Sequence, residues 1–133
     1  MQDGMTIGRL AKAAGVNVET IRYYQRRGLL AEPSKPAGGH RRYAARILTQ
    51  LAFIRRAQQL GFSLEEVKRL LQLADGKGGA ETRSMAQRKC DVLDIRVEEI
   101  NAMRKKLKAL IAASLKAGAR GADPIIAALS MEE

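Results

Sequence analysis

From Arg83 to Ala113 the chain carries neither glycine nor proline. A run of roughly 31 residues without a breaker, at about 1.5 Å per residue, predicts a helical rod near 46 Å long. Along it Leu93, Val97, Ile100, Leu107, Leu110 and Ser114 recur at approximately heptad spacing, with Met103 beside the seam. A lone helix with one apolar stripe needs a second surface to bury it. A second copy of the same helix supplies one, in a parallel or antiparallel two-helix coil with two-fold symmetry. The alternative is a helix that folds back on its own N-terminal half.

What precedes the rod is short and basic. There is no Trp, with two Phe and three Tyr, so a large independent core is not expected, and the Ala and Leu content suits helices that share interfaces. At 133 residues the chain is one small domain with an oligomerisation element. The net charge of +10 is concentrated: residues 1–72 hold 13 Lys and Arg against 5 Asp and Glu, whereas residues 73–133 hold 11 against 9. That asymmetry is the footprint of a nucleic-acid-binding domain joined to a more neutral partner-binding element.

The basic half opens with a short helix. In TIGRLAKAAGV, apolar Ile7, Leu10, Ala11 and Ala14 form one stripe, Thr6 is a candidate cap and Gly15 a stop. The turn Gly15-Val16-Asn17 leads directly into a second helix, and a glycine-containing turn of this length between two short helices is a helix-turn-helix. Asn17 is suited to cap that second helix, Glu19 sits where the dipole favours negative charge, and Arg26, Arg27 and Gly28 end it. Ile21 and Tyr24 are expected to face the body, and Arg22 and Arg26 to share an outward face with Val18.

After that helix Pro33, Pro36, Gly38 and Gly39 forbid regular structure, and Arg41, Arg42 and Tyr43 resume as a short extended run resembling a wing. A basic loop beside a basic helix brackets a duplex, with the helix in the major groove and the loop on flanking phosphates. An amphipathic helix follows through Ile47, Leu48, Leu51, Ile54, Ala57 and Leu60, with Arg55 and Arg56 on its polar face within expected reach of phosphate. Ser63-Leu64-Glu65-Glu66 is then a capping box, with Phe62 placed to staple onto Val67. Asp75 to Ala80, DGKGGA, reads as a hinge, and Pro124 is placed to open a last short helix.

Several functions are excluded. No Ser/His/Asp or Cys/His pairing, phosphate-cradling glycine loop or metal-ligand cluster is visible, and there is a single histidine, so no enzyme, cofactor or metal site is expected. No apolar run reaches the 18–20 or so residues of a membrane span and no signal peptide is visible, so the expected location is the cytoplasm, away from membranes. Cys90, the one cysteine, has no internal disulfide partner. Flanked by Arg88 and Lys89, which favour thiolate, it is either a sensor of thiol-reactive compounds or, as preferred here, a small apolar residue packed at the start of the dimer helix. His40 is read first as a loop residue and second as a phosphate contact.

The stretches TIGRLAKAAGVNVETIRYYQRRGLL, RRY and RRAQQLGFSLEEVKRLL resemble the MerR family of bacterial transcription regulators, and the likeness runs on to the IIAAL near the C-terminus. AKAAGVNVETIR and LGFSLEE are similar, almost letter for letter, to the mercury-responsive branch. The resemblance implies an all-α fold with a small β wing, in which a winged helix-turn-helix DNA-binding domain joins a long dimerisation helix that forms an antiparallel coiled coil. The expected domains are the DNA-binding domain over residues 1–74, a linker over 75–82, the dimerisation helix over 83–115 and a C-terminal effector-region tail over 116–133. The function it implies is that of a homodimer on an inverted-repeat operator in double-stranded promoter DNA, which bends and untwists the DNA to realign the elements read by RNA polymerase. Asn17, at the start of the reading helix, is counted with the DNA-binding residues, and Val18, Glu19 and Arg22 would face bases or their sugar-phosphate edges. Tyr23, Lys35, Arg41, Arg42 and Tyr43 would grip phosphate and set the wing.

Two departures from that family matter. Its mercury-responsive members hold the metal with three thiolates, and those positions fall on Gly79, Ser114 and Asp123 here. None is a cysteine, so tight mercury binding at that site is not expected and the effector is open. An architectural or constitutive DNA-binding protein without an effector is the alternative reading. The second departure is the missing acidic residue before the helix after Tyr43, where Ile47 stands, so that helix is expected to start earlier or to lack its cap.

Overall fold

The structure, a computed structural model, describes residues 4–34, 39–76 and 78–131. The elements run α1 (Ile7–Ala14), α2 (Val18–Arg26), α3 (Ala45–Gln59), α4 (Leu64–Gln72), α5 (Gly79–Ala117) and α6 (Pro124–Leu129). Lys35, expected on the wing, lies outside the described residues.

Local chemistry starts and stops the first helices. The Thr6 hydroxyl accepts from the Arg9 N–H at 3.3 Å to cap α1, and Gly15 ends it at φ 71°, a left-handed conformation that favours glycine. Asn17 Oδ1 caps α2 by accepting from the Thr20 N–H at 2.8 Å. The box at α4 is reciprocal, the Ser63 hydroxyl accepting from the Glu66 N–H and the Glu66 carboxylate from the Ser63 N–H. Helix α3 begins at Ala45 with Ala44 as an N-cap that makes no side-chain bond, the early and uncapped start expected where the acidic residue is missing.

The chain divides into two compact units, Met1–Ala86 and Gln87–Glu133. In the first, Leu10, Ile21, Leu51, Ile54 and Val67 are fully buried where α1 to α4 meet, joined by Tyr24, Leu29, Leu30, Tyr43 and Ile47. Leu60, read as part of the α3 stripe, is instead 66% exposed, because α3 has ended at Gln59 and the chain turns away at Gly61. The β component of the wing, among the described residues, is one antiparallel bridge between Met5 and Tyr43.

The segment read as a linker is more ordered than its glycines suggest. Helix α5 starts at Gly79, inside the 75–82 stretch, and ends at Ala117, two residues past the expected limit of 115. Gly78 is buried, and a Cβ there would lie 2.6 Å from Leu73 Cδ2, so glycine is required for close approach and not for looseness. Arg69 grips the Glu81 carboxylate with two nitrogens, one at 2.8 Å, and Met85 is buried in the core at 4% exposure. The first turns of α5 therefore belong to the N-terminal unit.

The second unit contains the rest of α5 and the short α6. Val92, Leu93, Val97, Ile100, Met103, Leu107 and Ile111 are all exposed large hydrophobics along α5. Of the residues expected on the seam, Leu110 is half-buried, and its neighbour Ile111 is 50% exposed.

Candidate nucleic-acid interface

Helix α2 is a rigid platform with one basic face. Its inner side is anchored by Ile21, fully buried, and by Tyr24, whose hydroxyl donates to Gln58 Oε1 of α3 at 2.8 Å. Burial pushes the Tyr24 phenol above its ordinary pKa, against a smaller opposing pull from Arg55, which keeps the hydroxyl protonated as a donor. Its outer side carries Glu19, Arg22, Tyr23 and Arg26, all exposed. Glu19 lies 3.6 Å from Arg22 and 3.9 Å from Arg26, contacts so exposed that a phosphate can replace the carboxylate at little cost. The Tyr23 ring sits between the Arg26 and Arg27 guanidiniums, at 5.9 and 5.8 Å from its centre, and its hydroxyl accepts from Arg27.

The wing base is fastened to the same helix. Tyr43 is buried at 2% exposure, pairs with Met5 through both backbone bonds, and its hydroxyl accepts from Gln25 Nε2 of α2 at 2.8 Å. These bonds hold the wing base against α2. Arg41 Nε donates to the Pro33 carbonyl at 3.0 Å and its guanidinium lies 3.1 Å from Glu32, so it braces the loop while remaining partly exposed. Arg42 is exposed. Between helix and wing lies a groove of about 420 Å3 lined by Arg22, Gln25, Arg26, Glu32, His40, Arg41 and Tyr43, with Thr6 and Ile7 at its floor.

The expected DNA-contacting residues thus divide. Arg22, Arg41 and Tyr43 converge on the groove together with Arg26, while Glu19, Tyr23 and Arg42 are exposed nearby in sequence. Asn17 is exposed and its Oδ1 accepts from the Thr20 N–H and hydroxyl, while Val18 is half-buried against the core. Arg55, expected to reach phosphate, turns inward and donates to the Ala14 and Gly15 carbonyls at 2.8 and 3.3 Å, closing the end of α1. Gln25 and Glu32, which hold the two sides of the groove, were not anticipated. Neither belongs to a local pattern that would have marked it.

Of the effector-region positions, Gly79 opens α5 with no side chain, and Cys90 is exposed in the first third of that helix. Ser114 and Asp123 do meet: the hydroxyl donates to the carboxylate at 2.6 Å. Among the described residues no group of three or more His, Cys, Asp or Glu is placed to hold a metal ion. A hydroxyl and carboxylate already bonded to each other, with a glycine at the remaining position, do not fit a soft cation.

Family models decide the lineage. Residues 5–74 match the MerR HTH family regulatory protein model, and residues 48–110 match the model described as MerR, DNA binding. The chain belongs to the MerR family. It is a helix-turn-helix transcription regulator, not an enzyme. A mercuric resistance operon regulatory protein from Serratia marcescens is 44% identical over 131 residues, covering 98% of this chain and 91% of that protein. The crystal structure of the regulator PbrR691 from Ralstonia metallidurans CH34 in complex with lead(II) superposes with a TM-score of 0.80 at 31% identity, over 95% of this chain and 99% of that one. HiNmlR, a MerR-family regulator lacking the sensor domain and bound to promoter DNA, gives 0.58 at 25% identity, over 90% of this chain and 96% of that one. No helix among the described residues of this MerR-family chain is long and apolar enough to cross a membrane.

Proposed function

We propose that this regulator acts in the cytoplasm as a homodimer on an inverted-repeat operator, each copy laying α2 in a major groove and its wing on the flanking backbone. The observation that carries the reading is the groove between α2 and the wing, where Arg22, Arg26 and Arg41 are presented together on a base fixed by the Gln25–Tyr43 hydrogen bond. Arg22 points to base edges and phosphate, and the wing arginines neutralise the backbone.

Pairing is supported by charge as well as by the apolar stripe. Residues 91–99 carry Asp91, Asp94, Glu98 and Glu99 against one arginine, while residues 104–108 carry Arg104, Lys105, Lys106 and Lys108 and no acid. A parallel second copy would set like charges side by side. An antiparallel copy crossing near Asn101 sets each acidic block against the partner's basic block while burying Leu93, Val97, Ile100 and Leu107. Two half-sites held at a fixed separation allow contact energy to offset DNA bending and untwisting, by which promoter elements are realigned for RNA polymerase.

The test is footprinting on promoter DNA joined to in vitro transcription, with light scattering for mass. The reading expects two protected half-sites, a dimer mass and altered transcript yield. Uniform protection of unrelated duplexes at the same concentration would replace it with the architectural alternative.

A further inference from the structure

Helix α6 has six residues, and its Ile126 and Leu129 are 60% and 75% exposed. A helix this short does not hold itself together in water, so whatever tethers it decides whether it forms. Pro124 at the first turn has no N–H to satisfy, and Asp123, although at the N-cap position, makes no capping bond to its own helix. Its carboxylate instead accepts from the Ser114 hydroxyl at 2.6 Å. Both residues are half-buried, and the turn between them passes through Gly118 and Gly121 at φ 61° and 64°. The bond therefore joins the last turns of α5 to the N-cap residue of α6 across a glycine-containing loop.

These two positions, with Gly79, are the ones at which the resemblance to mercury-responsive regulators places thiolates. Here each polar group is the other's partner, both are hard donors, and Gly79 offers nothing. We propose that Ser114 and Asp123 form a metal-free clasp: a hydrogen bond that orders α6 against the end of α5 without any cation and makes this end of the protein indifferent to soft metal ions. The clasp is a property of the free chain and does not depend on how α2 reads DNA.

Hydrogen exchange on the full chain, resolved to the millisecond range, tests it. Ser114→Ala places a good helix former within α5, so the helix survives while the clasp is lost. Exchange at the Ala127 and Ser130 amides, whose acceptors are the Asp123 and Ile126 carbonyls, should rise about three- to tenfold, with the middle of α5 unchanged. Asp123→Ala should do the same, and the double variant should do no more than either single one, as two halves of one bond require. In a Cys90→Ser background, mercuric or lead(II) ion added with a competing thiol should leave α6 exchange where it was. The clasp is overturned by unchanged α6 exchange in Ser114→Ala, by additive effects in the double variant, or by metal that slows α6 exchange without Cys90. Operator binding is read separately: its absence would overturn the proposed function and leave the clasp standing.

Discussion

The two units solve the same problem of apolar burial in opposite ways. In Met1–Ala86 the described residues build a core that runs from Leu10 in α1 to Met85 in α5. In Gln87–Glu133 no buried hydrophobic residue is found among the described residues, and Leu93, Val97, Ile100 and Leu107 stand 44% to 57% exposed. On the proposed reading, the first unit buries its core within one chain, and the second offers a surface for a second copy. A DNA reader that is rigid alone but useful only in pairs needs this division: the reading face must not depend on the partner, and the spacing between two faces must.

The sharpest way to break the contrast is to charge the seam. Ile100→Asp with Leu107→Asp should yield a monomer by sedimentation and weaken operator binding by two orders of magnitude or more, while the N-terminal unit keeps its helical signal. Retained dimer mass would show that α5 pairs by another face.

Next in size is the reading face itself. Arg22→Ala should cost about 1–3 kcal/mol of operator binding, roughly ten- to hundredfold, with the melting temperature unmoved. Arg55→Ala should do the reverse, since it strips the Ala14 and Gly15 carbonyls of their donor: a stability loss of about 1–3 kcal/mol in urea, with DNA affinity intact below the transition. Equal effects of both substitutions on binding would mean that Arg55 leaves its carbonyls to meet phosphate.

A stability effect of similar size is expected within the N-terminal unit, at the approach to α5. Gly78→Ala pushes a methyl to within 3 Å of three Leu73 atoms, so a loss of about 1–3 kcal/mol in the N-terminal unit is expected by denaturant titration. A neutral outcome would restore the loose hinge that the run of glycines first suggested. Smallest of all, Glu65→Ala removes an exposed pair with Arg27 and should change stability by less than about 1 kcal/mol.

How much was legible follows from the range of each interaction. Thr6, Asn17 and Ser63 could be read as caps because each acts on a backbone group three residues away. The rod could be read because periodicity repeats. Arg55 bonding to Ala14, Tyr24 to Gln58 and Gln25 to Tyr43 could not, since they join side chains across folds of the chain that no local pattern encodes. Tyr43 was expected to help set the wing, but not through a hydroxyl bonded to Gln25 of α2. Gly78 and Gly79 were read as breakers, whereas one permits close packing against Leu73 and the other begins a helix. Ser114 and Asp123 were singled out by resemblance alone, and their bond to each other became visible only in three dimensions.

The most direct test of paired reading works even with the operator sequence unknown. Selection of bound duplexes from a random pool by the full chain should enrich an inverted repeat whose two halves are identical and fixed in spacing, with either half alone bound at least a hundredfold more weakly. Enrichment of a single unrepeated site, or of none, would contradict the account that α5 exists to hold two copies of α2 on one face of the DNA.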